Sequence, residues 1–111
     1  MTGVLGSSVN FTWDFSGGNV KLVQWGTKQD NAIALKDVLV TIKKVTVITI
    51  DNLPYSGRVS GVWDGSSPGQ ATFTLNSIQK ADERLYICKL EPESLAALPV
   101  YDPVELLVVG K

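Results

Sequence analysis

Short runs rich in Val, Ile, Thr and aromatic residues, each closed by Gly, Pro, Asn, Asp or Ser, recur along the whole chain, and this punctuation constrains its fold most. Val9–Phe15 alternates, with Val9, Phe11 and Trp13 on one side and polar residues on the other. The spacing predicts further strands over 21–27, with Val23 and Trp25 inward, and over 32–36. A β-rich stretch over 38–50 is expected to split at Lys43-Lys44. Strands follow over 58–63, over 70–76 with Ala71, Phe73 and Leu75 inward, over 85–90, and over 104–109 with Val104, Leu106 and Val108 inward. Turn chemistry fills 16–19, 51–54, 56–57 and 64–69, and 78–83 suits one helical turn. Eight or nine short strands, no long amphipathic helix and no internal repeat give an all-β sandwich of two antiparallel sheets.

The 111 residues suffice for one core and one domain. Hydrophobic residues at 44% exclude disorder, and a net charge of −1 gives no reason to expect nucleic acid as partner. No apolar run approaches the ~20 residues of a transmembrane helix, so this segment is not expected to insert into a membrane. Met1 stands too close to the first strong strand for a secretory leader, and residues 1–111 are expected to be one unit of a larger protein. With no histidine, Ser-His-Asp and Cys-His catalysis and nearly all zinc sites fall away. The one cysteine, Cys88, is expected to be a buried thiol, and Glu91 and Glu93 to be solvated surface. The chain is therefore read as a non-enzyme with no cofactor and no metal. One sequon, Asn10-Phe11-Thr12, makes Asn10 a glycosylation candidate on the outward side of its strand.

Asp82-Glu83-Arg84-Leu85-Tyr86-Ile87-Cys88 has the form D-x-x-x-Y-x-C, and Gly6-Ser7-Ser8-Val9-Asn10-Phe11-Thr12-Trp13 has the form G-x-x-V-x-L-x-C with Phe11 for Leu and Trp13 for Cys. Trp25 follows twelve residues after Trp13. Arg58-Val59-Ser60-Gly61 and the segment from Gln70 to Ile78 look like strands D and E of a light-chain variable domain. Together these resemble a variable-type (V-set) immunoglobulin domain, which implies a Greek-key sandwich with strands B and F at Trp13 and Cys88. The material between Trp25 and Arg58 matches the C′ and C″ strands of that type. The resemblance further implies an Arg58–Asp82 salt bridge, a tyrosine corner at Tyr86, and a core of Phe11, Trp13, Trp25, Phe73, Leu75, Tyr86 and Cys88. It departs in three places. Trp13 removes the B–F disulfide, Gly26-Thr27-Lys28 replaces the residues of antibody chain pairing, and Tyr101-Asp102-Pro103 lacks the G-x-G bulge of rearranging receptors. The missing bond would enclose a loop of about 75 residues and contribute ~4 kcal/mol, against roughly 2–3 kcal/mol for burying a large apolar side chain.

The chain is most similar to the membrane-distal domains of hydroid (cnidarian) allorecognition receptors, whose variable-like folds lack the cysteine pair. That resemblance implies an extracellular N-terminal domain of a single-pass cell-surface protein, binding a copy of itself on an opposing cell. The binding residues are then expected on the outward G-F-C-C′ face, at Leu22, Gln24, Ile87, Lys89, Glu105 and Leu107. A long third hypervariable-like loop over 91–103 would add Leu95, Leu98, Val100 and Tyr101. The alternative is a soluble innate-immune variable domain that binds a microbial or carbohydrate ligand through its loops.

Overall fold

The computed structural model describes residues 1–15, 20–43, 46–49, 54–63, 69–93 and 98–110, with Phe15 as backbone alone. Among the described residues nine strands run in chain order: β1 (Thr2–Val4), β2 (Val9–Phe15), β3 (Val20–Lys28), β4 (Leu35–Lys43), β5 (Thr46–Thr49), β6 (Val59–Trp63), β7 (Gly69–Leu75), β8 (Arg84–Pro92) and β9 (Val100–Val109). A 3-10 turn, Lys80–Asp82, precedes β8. The strands form a six-stranded sheet of order β1-β9-β8-β3-β4-β5 and a three-stranded sheet of order β2-β7-β6. This is an immunoglobulin-like β-sandwich, with its one cysteine unpaired.

Period-2 burial makes the two sheets one body. Phe11, Phe73 and Leu75 from the smaller sheet meet Val23, Trp25, Tyr86 and Leu106 from the larger. Four aromatic rings form its centre, with centroids 5.1 Å apart for Phe11–Trp25, 5.4 Å for Phe11–Tyr86 and Trp25–Tyr86, and 5.8 Å for Trp25–Phe73. The Trp25 indole N–H finds no hydrogen-bond acceptor there, an unmatched donor of the kind that costs about 1–3 kcal/mol. Below the aromatics the Tyr86 hydroxyl donates to the Asp82 carbonyl at 2.7 Å. Arg58 and Asp82 form an ion pair, their side chains only 12% and 2% exposed.

Several boundaries differ from the sequence reading. β1 is an additional strand and pairs parallel to β9, Thr2 with Leu107 and Val4 with Val109, so the larger sheet is not wholly antiparallel. Residues 32–34 belong to a turn rather than a strand. Asn31 takes a left-handed φ of 61° and the Gln29 N–H donates to the Ala34 carbonyl at 2.9 Å, so β4 starts only at Leu35. β8 runs on to Pro92 and β9 begins at Val100, which shortens the loop expected over 91–103. Pro103 is tolerated inside β9 because β1 covers only Leu107 to Val109, leaving the outer edge at Pro103 unpaired. Of the turns expected at 16–19, 51–54 and 64–69, residues 16–19, 51–53 and 64–68 lie outside the described residues, as do Lys44 and Leu95.

Trp13 is the main correction to the expected core. It is half-buried and packs at the core's margin instead of inside it. Its partner across the ladder is Ala71, and its ring stacks on Phe11 at 6.2 Å and meets Phe73 edge-on at 5.9 Å. The indole N–H reaches past Cys88 and donates to Asp102 Oδ2 at 2.5 Å. Asp102 is the ladder neighbour of Cys88, so a polar tie between sheets lands one strand away from the disulfide position. Trp13, Val23, Cys88, Leu90 and Val100 line a cavity of about 110 Å³ beside that tie.

Candidate functional site

The outward face of the larger sheet is built by residues that alternate away from the core on β9, β8, β3 and β4. Register places them in rows across the strands. One row runs Ile48, Thr41, Gln24, Lys89, Tyr101. A second runs Val38, Gly26, Ile87, Pro103. A third, nearer the β1 side of the face, contains Leu85 beside Glu105.

Apart from Ile48, 52% exposed at its β5 end, the first row is satisfied within the chain. Gln24 Nε2 donates to the Thr41 hydroxyl at 3.2 Å, and Lys89 Nζ stands 5.9 Å from the centre of the Tyr101 ring. Lys89 and Lys21 both approach Glu91, at 3.8 Å and 4.0 Å. Gln24, Lys89 and Tyr101 are half-buried as a result.

The second row is a depression. A β-carbon on Gly26 would lie 1.9 Å from the Asp37 carbonyl oxygen and 3.1 Å from Leu35 Cδ2, so only glycine fits where β4 bulges against β3. Ile87, between Gly26 and Pro103, is 0% exposed, and Leu22 beside Glu91 is buried too. Both were expected to present side chains to a partner. Neither does: β4 bulges against Gly26, the ladder neighbour of Ile87, and Glu91, the ladder neighbour of Leu22, holds Lys89 and Lys21 within 4.0 Å.

The third row is open. Leu85 and Leu107 are each 44% exposed, and Glu105 is exposed between them on the adjoining strands. A cleft of about 450 Å³ lies here, with Lys28, Asp30, Lys36, Arg84, Leu85 and Glu105 among its lining. Glu83 also borders it but is engaged elsewhere, accepting from the Val108 N–H at 2.9 Å and from Lys80 Nζ at 3.3 Å. Those two contacts, the backbone one first, hold its carboxyl below the usual carboxylate range. Alternation could have found Leu85, which shares its side of β8 with Ile87 and Lys89. Lys28 continues the alternation of Gln24 and Gly26 but stands one residue past the strand expected over 21–27, and Lys36 carried no periodic signal, since it is the extra residue where β4 bulges against β3.

The remaining expected residues are separate from this face. Leu98 is 84% exposed between β8 and β9, and Asn10 is exposed on β2, its Oδ1 accepting from the Thr74 hydroxyl at 2.8 Å. Cys88 is buried, and that burial, reinforced by the charge of Asp102, pushes its thiol from 9.0 up to about 12. Among the described residues no three His, Cys, Asp or Glu side chains gather as metal ligands, and no helix is long and apolar enough to cross a membrane.

No protein-family model matches the chain, and no curated protein matches it in sequence. Solved structures do match. The natural killer cell receptor Nkp44 superposes with a TM-score of 0.71 at 18% identity, covering 98% of this chain and 95% of that one. The second immunoglobulin domain of the mouse polymeric immunoglobulin receptor gives 0.71 at 20% identity, over 98% and 93%. A structure used to analyse multimeric cell-adhesive interactions of VGSC beta subunits gives 0.68 at 15% identity, over 98% and 89%. In all, 1406 chains of known structure match, and a fold shared that widely defines an immunoglobulin-like domain without selecting a partner.

Proposed function

We propose that this chain is a V-type recognition domain from the extracellular, N-terminal part of a single-pass cell-surface receptor, and that it binds a copy of itself on an opposing cell. The V-type reading is supported by β4 and β5, which extend the larger sheet in the places of strands C′ and C″. The departure at Trp13, which leaves a variable-like fold without its cysteine pair as in hydroid allorecognition receptors, supports the self/non-self role. Structural likeness to receptor and adhesion domains points the same way.

The observation that carries the proposal is the open row of the larger sheet. Leu85 and Leu107 stand exposed there among charged side chains on a rigid sheet, and apolar residues interleaved with charge suit a weak, specific protein interface. The hydroxyl that lines the cleft, on Thr27, is 2% exposed and held by the Asp37 carboxylate and backbone N–H, so binding rather than catalysis is assigned to it.

Beads coated densely with the domain should cluster with like-coated beads and ignore bare ones. Clustering no better than that of bare beads would overturn self-recognition. Retention on microbial glycans in its place would favour the soluble innate-immune alternative.

A further inference from the structure

We propose that the self-contact is a two-fold, charge-matched pairing centred on Leu85, in which Lys36 of one copy meets Glu105 of the other. This rests on the self-recognition reading above and names the part of the face that performs it.

The charges around the cleft differ in what they already hold. Glu83 is engaged by Lys80 and the Val108 N–H, and Arg84 lies 6.0 Å from the centre of the Tyr55 ring. Lys28 reaches only the neighbouring Gln29 carbonyl, at 3.2 Å. Lys36, Asp30 and Glu105 make no ion pair among the described residues. The row of Gln24, Lys89 and Tyr101 is by contrast closed by its own contacts. Lys43 aside, at the β4–β5 end, the unmet charge that the described residues place on this face therefore gathers around the cleft.

Its layout is directional. Strand order β9-β8-β3-β4 puts Glu105 on one side, Leu85 next to it, and Lys28 and Lys36 on the far side. Adjacent strands lie about 4.8 Å apart, so anion and cations are separated by two to three strand widths with an apolar residue between. A two-fold rotation about an axis along the strands, between β8 and β3, exchanges β9 with β4, sets each Glu105 against a Lys36 and brings the two Leu85 side chains next to each other. A partner of one sign would leave half of these charges desolvated and unmatched, whereas a second copy satisfies both halves at once. Asp30, at the lysine end, tempers the positive side without reversing it, since two lysines stand beside it.

The test uses the whole domain on beads, as wild type, Lys36→Glu and Glu105→Lys. Both positions are exposed and make no ion pair among the described residues, so both variants should melt with the wild type. Each variant alone should lose about tenfold or more in self-affinity, because each places two like-charged pairs in the contact. Mixing Lys36→Glu beads with Glu105→Lys beads restores two opposite-charge pairs, and mixed clusters should form within about twofold of the wild-type level. Wild-type clustering together with unimpaired single variants, or with no recovery in the mixture, would overturn this pairing and leave self-recognition to another surface. Absence of wild-type clustering would overturn both.

Discussion

Arg58 has acceptors on every edge of its guanidinium: Nη1 donates to the Pro54 carbonyl at 2.9 Å, Nε to Asn76 at 3.2 Å, and Nη2 to Ser77 at 3.1 Å and to the Asp82 carboxylate. Asp82 accepts in addition from the Gln79 N–H at 2.8 Å. Truncation to Ala would leave a carboxylate 2% exposed without its cation, together with three carbonyls without a donor. Arg58→Ala should cost about 3–5 kcal/mol in urea unfolding, whereas Lys43→Ala, at an exposed site, should stay within about 0.5 kcal/mol of wild type. Arg58→Lys should fall between them, since one ammonium cannot serve four acceptors in fixed directions. Equal losses for Arg58→Ala and Lys43→Ala would show that the pair does not anchor the base of the sandwich.

Cys88 makes a prediction of opposite character, an absence of reactivity. Burial, and after it the Asp102 charge, raise the thiol from 9.0 to about 12. The folded chain thus holds that proton more tightly than the unfolded chain, and the contribution to stability is complete below pH 9. It is lost as pH rises from 9 toward 12. A thiol-alkylating reagent at pH 8 should leave the native protein unmodified and label it stoichiometrically in denaturant. Rapid native labelling would mean that the cavity beside Trp13 opens far enough to expose the sulfur.

At the scale of elements, β2 and β7 were legible because each buries alternate residues against one core: Val9 and Phe11, Ala71, Phe73 and Leu75. Other elements depended on neighbours that local pattern does not encode. Thr2–Val4 is too short for a period and is held by parallel pairing to β9. Tyr101-Asp102-Pro103 has loop chemistry, yet it lies on an unpaired edge where Pro costs little and an inward Asp discourages further strand addition. The candidate site was legible only as a face. Alternation selects Gln24, Lys89, Glu105 and Leu107, but cross-strand register decides that the first two are already engaged and the last two are not. Gly26 is the element-scale position most open to test. Gly26→Ala must displace the Asp37 carbonyl, and should destabilise by about 1–3 kcal/mol in chemical unfolding. Gly110→Ala, with nothing within 4 Å of its added carbon, should be neutral. A neutral Gly26→Ala would show that the bulge between β3 and β4 yields easily.

The whole molecule closes two sheets with no covalent link between them, and Trp13 stands where that link would begin. Its ring stacks on Phe11, meets Phe73 edge-on and sends its N–H to Asp102, so one side chain touches both sheets. Replacing it by cysteine sets two effects against each other. A bond to Cys88 would close a loop of about 75 residues and contribute ~4 kcal/mol through the unfolded chain. Loss of the indole would enlarge the 110 Å³ cavity already present and strip Asp102 of its donor, and a large aromatic truncated in a core costs about 3–5 kcal/mol. The half-exposed position of Trp13 places its loss near the lower end of that range. Geometry also limits the gain, because disulfide Cα atoms lie about 4.4–6.8 Å apart while facing sheets pack about 10 Å apart, so forming the bond must draw β2 and β8 together. Trp13→Cys should therefore oxidise in part, the oxidised form unfolding within about 1 kcal/mol of wild type and the reduced form about 3 kcal/mol below it. Urea unfolding with and without reductant measures both. A reduced variant as stable as wild type would show that Trp13 contributes nothing to closing the sheets, and that the four-ring centre holds them alone.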